Sequence, residues 1–456
     1  MPVPDLPIFT WQRRERAWFY APGYLVVAPE AQARRIEQDL RRETPQMGAA
    51  AALHAHARGA QTARAAWQLG AFTPLCLTVY LNRHCNLNCS YCFAQAEPPQ
   101  PDLGLAQRIS LEAVRMAAQR VAQNCQSRQA PFWLALHGGG EPTLDWRLAE
   151  QILQIVEEIA RQAGLPVLRY IATNGVMSGE VAGWLVQRFD LIGLSCDGPP
   201  HIQDVQRPLR NGAPSSPYVE RLAEMVHAAG KPLQVRVTLT PHSMTRQEEI
   251  AHYLCAQLRP EEIRAEPVYQ GGRAEAQSCL GVEMVETYVH QFRLARGAAA
   301  GYGVKWTSAG TRLGSVYGPY CHIFRQVLNL LPGDTATACF RHSALGAQAS
   351  QAATIGWYDP QTEACWLDET RIQAIRQAMG HTPRRCATCF SQYHCTLGCP
   401  DRCPLEPGGE AFSPAAEFRC QLQTALALTL LDELVPALDA DKVYSVSLDA
   451  QRLGEL

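Results

Sequence analysis

Cys85-Asn86-Leu87-Asn88-Cys89-Ser90-Tyr91-Cys92 is the stretch from which the rest of the chain is read. Three thiols stand at C-x3-C-x2-C directly after a short apolar run, Leu77-Thr78-Val79-Tyr80-Leu81. Thiolates so close in one loop suit an iron–sulfur cluster, which one local triplet can wrap. Three ligands on a four-iron cluster leave one iron open to a small molecule. Asn, Ser and the short spacers suit a loop that curls its thiols inward. The rival readings are a zinc site and three unrelated buried cysteines. Zinc usually takes four side chains and favours C-x2-C pairs, and only His84 stands nearby as a fourth ligand.

Bulk properties narrow the class. The 456-residue chain has room for two or three domains. Its 47% apolar and 18% charged residues are ordinary for a globular protein. A formal charge of −2 gives no global pull toward nucleic acid or membrane, and neither partner is expected. No apolar run of about 18 residues exists, so no transmembrane helix is expected. Met1-Pro-Val-Pro-Asp lacks a basic-then-apolar signal. Seventeen cysteines without such a signal argue for metal over disulfides, and so for a reducing cytoplasm.

The apolar period divides the chain. Ile8 to Val27 reads as a β-hairpin around Pro22-Gly23, followed by helices over 31–40 and 46–69. Residues 1–74 therefore form an N-terminal extension, either a cover for the next domain or a small peptide-docking module. From Leu77 strands and helices alternate. Strands are expected at 77–82, 132–137, 167–173, 191–195, 233–240 and 263–267. Helices are expected at 110–126, with Ser110 as N-cap, then 145–163, 179–189, 216–229, 246–258 and 282–296. Six such units imply an α/β fold, a partial (β/α)6 TIM-type barrel over 75–300 with its chemistry at the strand C-termini. Beyond Ala298 the repeat stops. Residues 301–424 read as a loop-rich, cysteine-rich domain, and 425–456 as a C-terminal helix and tail.

Further motifs fall at strand ends. The second strand leads into His137-Gly138-Gly139-Gly140-Glu141-Pro142-Thr143, where glycines admit a ligand close to the backbone and Glu141 can pair with an ammonium group. The third ends in Thr173-Asn174-Gly175. The fourth ends in Ser195-Cys196-Asp197-Gly198-Pro199-Pro200, with Asp204 and Arg207-Pro208 beyond. Ser195 and Arg207 could hold a carboxylate, although Asp204 and Arg207 also read as a surface ion pair.

Together these residues resemble the radical S-adenosylmethionine (SAM) superfamily: C-x3-C-x2-C followed by Phe93, then Gly-Gly-Glu-Pro, at consecutive strand ends. The resemblance covers about residues 75–300. It implies that Cys85, Cys89 and Cys92 hold a [4Fe-4S] cluster whose open iron chelates the methionine amine and carboxylate. It implies contacts to the amine from Gly139, Gly140 and Glu141, with Asn174 at the neighbouring strand end. It also implies cofactor contacts from Ser195 and Arg207, and an adenine lining of Tyr91 and Val268, the latter equally readable as core. An electron reaches the cluster from a donor such as flavodoxin or ferredoxin. The sulfonium then breaks, and a 5′-deoxyadenosyl radical abstracts hydrogen from the substrate.

The C-terminal thiols resemble the SPASM extension, which binds two auxiliary [4Fe-4S] clusters. Cys386, Cys389, Cys395 and Cys399 give C-x2-C-x5-C-x3-C, with Cys420 after them and Cys321 and Cys339 before. The resemblance puts Cys386, Cys389, Cys395 and Cys420 on an outer cluster and Cys321, Cys339 and Cys399 on an inner one. Two departures stand out. Five residues separate Gly333 from Cys339, where the family usually has four. Cys403 is an additional thiol, either a fourth inner ligand or a bystander to an open iron. Cys76, Cys125, Cys196, Cys255, Cys279 and Cys365 read as ordinary cysteines, Cys196 being set apart by its strand-end position.

SPASM enzymes mostly modify peptides or proteins. Sulfatase-maturing members carry an acidic base close to the second SPASM cysteine. Here Phe340 and Arg341 follow Cys339, and Asp334 lies upstream. We therefore expect a peptide maturase that forms an intramolecular crosslink, a thioether first and a carbon–carbon or carbon–oxygen bond next. Formylglycine generation on a sulfatase is the alternative. A non-catalytic electron-transfer scaffold is the reading of another class. The catalytic base is not legible.

Overall fold

The computed structural model describes residues 6–46, 48–94, 109–274, 279–316, 326–339, 353–380, 383–397, 399, 414–435 and 442–448. Cys321 and Cys403 lie outside them. The chain opens with β1 (Phe9–Arg13), β2 (Arg16–Ala21) and β3 (Tyr24–Ala28), then α1 (Glu30–Leu40) and α2 (Gly48–Leu69). The expected hairpin is thus a three-stranded meander. Its first reversal is made by Arg14 and Glu15 at φ 52° and 58°. That primed-turn geometry usually draws Gly or Asn, so Arg14-Glu15 carries no turn signal.

Next come β4 (Cys76–Val79), α3 (Leu111–Arg128), β5 (Phe132–Leu136), α4 (Trp146–Gln162), β6 (Val167–Thr173), α5 (Gly179–Arg188) and β7 (Leu191–Ser195). They are followed by α6 (Pro200–Gln206), α7 (Ser216–Ala228), β8 (Leu233–Leu239), α8 (Gln247–Tyr253), β9 (Glu262–Pro267) and α9 (Val285–Gly301). Ser110 caps α3, its side chain accepting from the Ala113 N–H at 3.1 Å. β4 to β9 pair in parallel in chain order. This is the α/β partial barrel that the periodicity implied.

Three features were not expected. The repeat does not stop at Ala298, because β10 (Lys305–Thr307) pairs in parallel with β9. On the other flank β11 (Val327–Leu331) pairs in parallel with β4. Antiparallel β12 (Thr335–Thr337), β13 (Thr354–Asp359) and β14 (Ala364–Leu367) extend that flank, giving eleven strands. Helix α6 occupies what reads as a strand-end loop.

Alternation along the strands sets the two faces. Ile192, Leu194, Val235, Val237, Ile263 and Ala265 are buried in the main core under the helices. Ser195, Gln234, Arg236, Thr238, Arg264 and Glu266 alternate with them and line the concave side.

The C-terminal part adds α10 (Glu369–Gly380), α11 (Pro414–Leu434) and β15 (Tyr444–Ser447). Phe418, Leu422 and Leu426 of α11 join the barrel core. Ala427 and Leu431 join a second cluster with Trp18, Tyr20, Leu25, Val27 and Val446. β15 pairs antiparallel with β3, so the N-terminal sheet takes its fourth strand from the far end of the chain. No described helix is long and apolar enough to cross a membrane.

Val446 is 3% exposed in that second cluster, while Ser445 faces solvent. Val446→Ala should cost about 2 kcal/mol in denaturant unfolding, from two lost methyl groups and the cavity they leave. Ser445→Ala should stay within about 0.5 kcal/mol.

Candidate active site

The cysteine loop is fastened to the segments that follow β5, β7 and β9. At its entry the Asn82 side chain accepts from the His84 N–H at 3.0 Å and donates to Asp145 at 2.8 Å. The Glu141 N–H donates to the His84 carbonyl at 2.6 Å. A Cβ on Gly140 would collide with that same carbonyl, so the two loops can meet only if residue 140 is glycine. Gly139 differs: an added Cβ would meet nothing closer than 3.9 Å. Protein contacts do not require glycine there.

In its middle the loop lies along the segment after α6. Leu87 bridges to Leu209. Asn88 N–H donates to Pro208 O at 2.8 Å, and Arg210 N–H to Asn86 O at 3.1 Å. The Arg210 Nε donates to the Cys85 carbonyl at 2.8 Å. At its exit the Cys92 carbonyl accepts from the Arg273 N–H at 3.0 Å, in the turn after β9.

Two buried carboxylates tie these pieces together. Glu141 is 2% exposed. It accepts from Thr143 N–H at 3.1 Å, Thr143 Oγ1 at 2.7 Å, Thr173 Oγ1 at 2.8 Å and Asn174 N–H at 2.8 Å. Burial raises its pKa above the ordinary carboxylate value, and these hydrogen bonds pull against that shift. Asn174 continues the line, its Nδ2 donating to Asn86 Oδ1 at 2.8 Å and approaching Cys85 Sγ at 3.5 Å. Glu141, expected to meet an ammonium group, thus also bolts β5 to β6 beneath the cysteine loop.

Asp197, to which the sequence attached no role, is the second hub. It is fully buried. Its carboxylate accepts from the Tyr91 hydroxyl, from Gln206 Nε2 at 2.7 Å and from the Thr238 N–H at 2.8 Å. The Arg207 Nε lies 3.1 Å from it, and the Arg207 guanidinium sits 5.2 Å above the Tyr91 ring. Burial works to lower the Arg207 pKa, but Asp197, Tyr91 and Cys89 outweigh it and the value is raised. Tyr91 and Arg207, expected on separate parts of a ligand, are locked to each other through one carboxylate. Ser195 ends β7 on the concave side, half-buried. Val268 is buried, its N–H donating to Leu239 O at 2.9 Å.

The three thiols interact. Burial pushes Cys85 up to about 12, with contributions from Glu141, Cys89 and Cys92. Burial pushes Cys89 up to about 11, opposed by Arg207. Coordination to a cation would reverse such shifts, since a metal-bound thiol is deprotonated outright. Among the described residues no three His, Cys, Asp or Glu side chains close on a single metal ion. The donor set, three electrostatically interacting thiols on one clamped loop, fits a thiolate-held iron–sulfur group.

Residues 79–254 match the family model of the Radical SAM superfamily. The chain carries a radical SAM domain. Curated relatives include uncharacterized protein MJ0907 of Methanocaldococcus jannaschii, 24% identical over 181 residues, 40% of this chain and 58% of that protein. Another is a cysteine-type anaerobic sulfatase-maturating enzyme of Clostridium perfringens, 28% identical over 142 residues, 31% of this chain and 37% of that protein. The chain thus spans less than two thirds of either relative. Among solved structures, native anSMEcpe with bound AdoMet aligns at a TM-score of 0.58 and 16% identity, over 79% of this chain and 98% of that one. Streptococcus suis SuiB bound to S-adenosylmethionine aligns at 0.51 and 13%, over 89% and 99%. Both likenesses are of fold.

Beyond the radical SAM domain the structure gathers a second set of thiols. Cys395 is pushed up to about 12 by burial, with Cys420, Cys389 and Cys386 adding to it, so the four share one locality. Arg385 and Glu417 form a two-pronged ion pair beside them, and Cys395 Sγ meets Gln423 Oε1 at 2.6 Å. Cys399 donates its N–H to Thr396 O at 3.1 Å, and Cys339 follows β12. Cys196, by contrast, is 1% exposed, its thiol directed at the Gly198 carbonyl at 3.5 Å.

Replacing Asp197 leaves Arg207 buried without its counter-ion. Asp197→Asn should cost about 3–5 kcal/mol in denaturant unfolding. Loss of the Glu417 charge should lower stability at neutral pH and make little difference in strong acid. The hydrogen bond from Arg385 holds that carboxyl down at about 2. Its stabilising share is therefore complete above the ordinary carboxylate pKa and is lost as pH falls toward about 2. Glu417→Gln should flatten the fall in unfolding midpoint over that range.

Proposed function

We propose that this chain is a peptide-modifying radical SAM maturase, in which Cys85, Cys89 and Cys92 hold a [4Fe-4S] cluster with one open iron. The observation carrying this reading is the clamped three-thiol loop facing a glycine, Gly139, whose missing side chain no protein contact requires. A bound methionyl group accounts for that free space. The backbone at Gly139 and Gly140 and the carboxylate of Glu141 receive the amine of S-adenosylmethionine, with Asn174 holding the loop at Cys85. Ser195, Arg207, Tyr91 and Val268 complete the cofactor surround. When bound, cluster and S-adenosylmethionine supply hydrogen-atom abstraction through a 5′-deoxyadenosyl radical. The chain's own residues orient the reactants, and the loops from β5, β7 and β9 close water out of the mouth.

Cys386, Cys389, Cys395 and Cys420 hold an outer auxiliary [4Fe-4S] cluster. Cys321, Cys339 and Cys399 hold an inner one, with Cys403 either its fourth ligand or a bystander to an open iron. The substrate is a ribosomally made peptide, and the product an intramolecular crosslink, a thioether first and a carbon–carbon or carbon–oxygen bond next. A flavodoxin or ferredoxin in a reducing cytoplasm is the electron source. Residues 1–74 are proposed as an extension that covers the next domain, with peptide docking as the second reading, 75–300 to hold the radical chemistry, and 301–424 the auxiliary clusters, with 425–456 as the closing helix and tail. Formylglycine formation on a sulfatase is the second reading. The 28% identity to a sulfatase-maturating enzyme favours it, while Phe340 and Arg341 after Cys339 do not supply the acidic base it needs.

Anaerobic reconstitution followed by reduction with S-adenosylmethionine tests the reading. Wild-type protein should release 5′-deoxyadenosine. A Cys85→Ala, Cys89→Ala, Cys92→Ala variant should carry about four fewer irons and release none. No nucleoside from iron-replete wild type would favour the electron-transfer scaffold. With a candidate peptide, loss of two hydrogens marks a crosslink, and conversion of a thiol to an aldehyde marks the sulfatase reading.

A further inference from the structure

The concave face carries a cation, Arg236, that has no ion-pair partner among the described residues. Arg236 projects from β8, and its Nη1 donates to His137 Nε2 at 3.2 Å. His137 follows β5, three strand spacings away. That is roughly 14 Å across a flat sheet, so the contact spans the curve of the barrel. Burial, then Arg236 itself, pushes His137 down to about 3. Its ring is neutral at pH 7 and leaves the guanidinium charge uncompensated.

The neighbouring cations differ. Arg207 is paired with Asp197 at 3.1 Å. Arg264, beside Arg236 in the sheet register, is paired with Glu262 at 3.0 Å. Among the described residues no carboxylate lies within ion-pair distance of Arg236, and its Nε is buried without a hydrogen-bond partner.

Hydroxyl groups accompany it. The Tyr170 ring lies 5.6 Å from the guanidinium carbon. Tyr170 is 8% exposed and its hydroxyl has no partner. A Cβ on Gly193 would strike that hydroxyl, which therefore passes beneath Ser195, two residues on along the same face. Ser195 is the register partner of Arg236. An unpaired guanidinium and two hydroxyls, converging on a curved face below a strand-end site, match a planar anion.

We propose that Arg236, flanked by Tyr170 and Ser195, is a carboxylate-binding site on the concave face of the radical SAM domain. The proposal rests on the functional reading only for which carboxylate occupies it. The methionyl carboxylate of S-adenosylmethionine and an acidic side chain of the peptide substrate present the same chemistry.

The test compares S-adenosylmethionine with decarboxylated S-adenosylmethionine by equilibrium dialysis against reconstituted protein, in wild type, Arg236→Met, Arg236→Lys and Tyr170→Phe. If the site takes the methionyl carboxylate, wild type prefers the intact cofactor by about tenfold or more. Arg236→Met then loses the preference and Arg236→Lys regains part of it. Tyr170→Phe, which removes only a hydroxyl without a partner and so keeps the fold, weakens it several-fold. If the preference is the same in all four proteins, propionate is added as a probe of a side-chain carboxylate and followed by NMR line broadening, with and without S-adenosylmethionine. Broadening in wild type that Arg236→Met and Tyr170→Phe abolish assigns the site to the substrate. Carboxylate binding of both kinds that is indifferent to residues 236 and 170 overturns the proposal. So does a fall in melting temperature of Arg236→Met with both kinds of binding intact, which marks a structural cation. Wild type that binds neither nucleoside overturns the functional reading, and the propionate comparison still decides the fate of Arg236.

Discussion

A buried carboxylate that accepts four hydrogen bonds is the constraint on which the site depends. Glu141 collects donors from its own turn and from the end of β6. Its backbone N–H meanwhile holds the loop that carries the thiols. An ionised group out of water is tolerable only when so satisfied. The geometry of the mouth is therefore fixed by the cost of any other arrangement. Asp197 repeats the device on the opposite side through Tyr91, Arg207, Gln206 and Thr238. Between these anchors the cysteine loop has little freedom, which is what thiols that must face one another require.

The same economy explains the placement of charge. Arg207 is answered by Asp197 and Arg264 by Glu262, while among the described residues Arg236 has no ion-pair partner. The helix face of the same strands is apolar throughout, so the sheet separates a packed side from a reactive one. Helix α11 fills a further role: one stripe completes the barrel core and another supports the N-terminal sheet, which β15 then closes. The two ends of the chain are thereby tied to the thiols at 386–420.

What the sequence made legible was local. The alternation Leu233-Gln234-Val235-Arg236-Val237-Thr238 marks β8 with one polar face, and the strand-end position of every motif follows from the same period. Pairing between distant segments was not legible. β11 beside β4 and β15 beside β3 join stretches far apart in the chain, and periodicity says nothing of partners. β10 has only three residues, too few to show a period. The Arg14-Glu15 turn lacks the glycine or asparagine that would have marked it. Asp197 stood in plain view in a strand-end turn, but an acidic residue in a turn has no assigned partner until the fold brings Tyr91, 106 residues away, onto it. His137 and Arg236, 99 residues apart, meet for the same reason.

The central claim is that the Cys85-Cys89-Cys92 loop presents a cluster with an iron vacant for S-adenosylmethionine. Electron paramagnetic resonance of the reduced protein, in a variant with Cys386, Cys389, Cys395 and Cys420 replaced by alanine, tests it most directly. The account predicts that adding S-adenosylmethionine changes the cluster signal, because the cofactor binds the iron itself. A reduced-cluster signal that stays identical with and without the cofactor would contradict it.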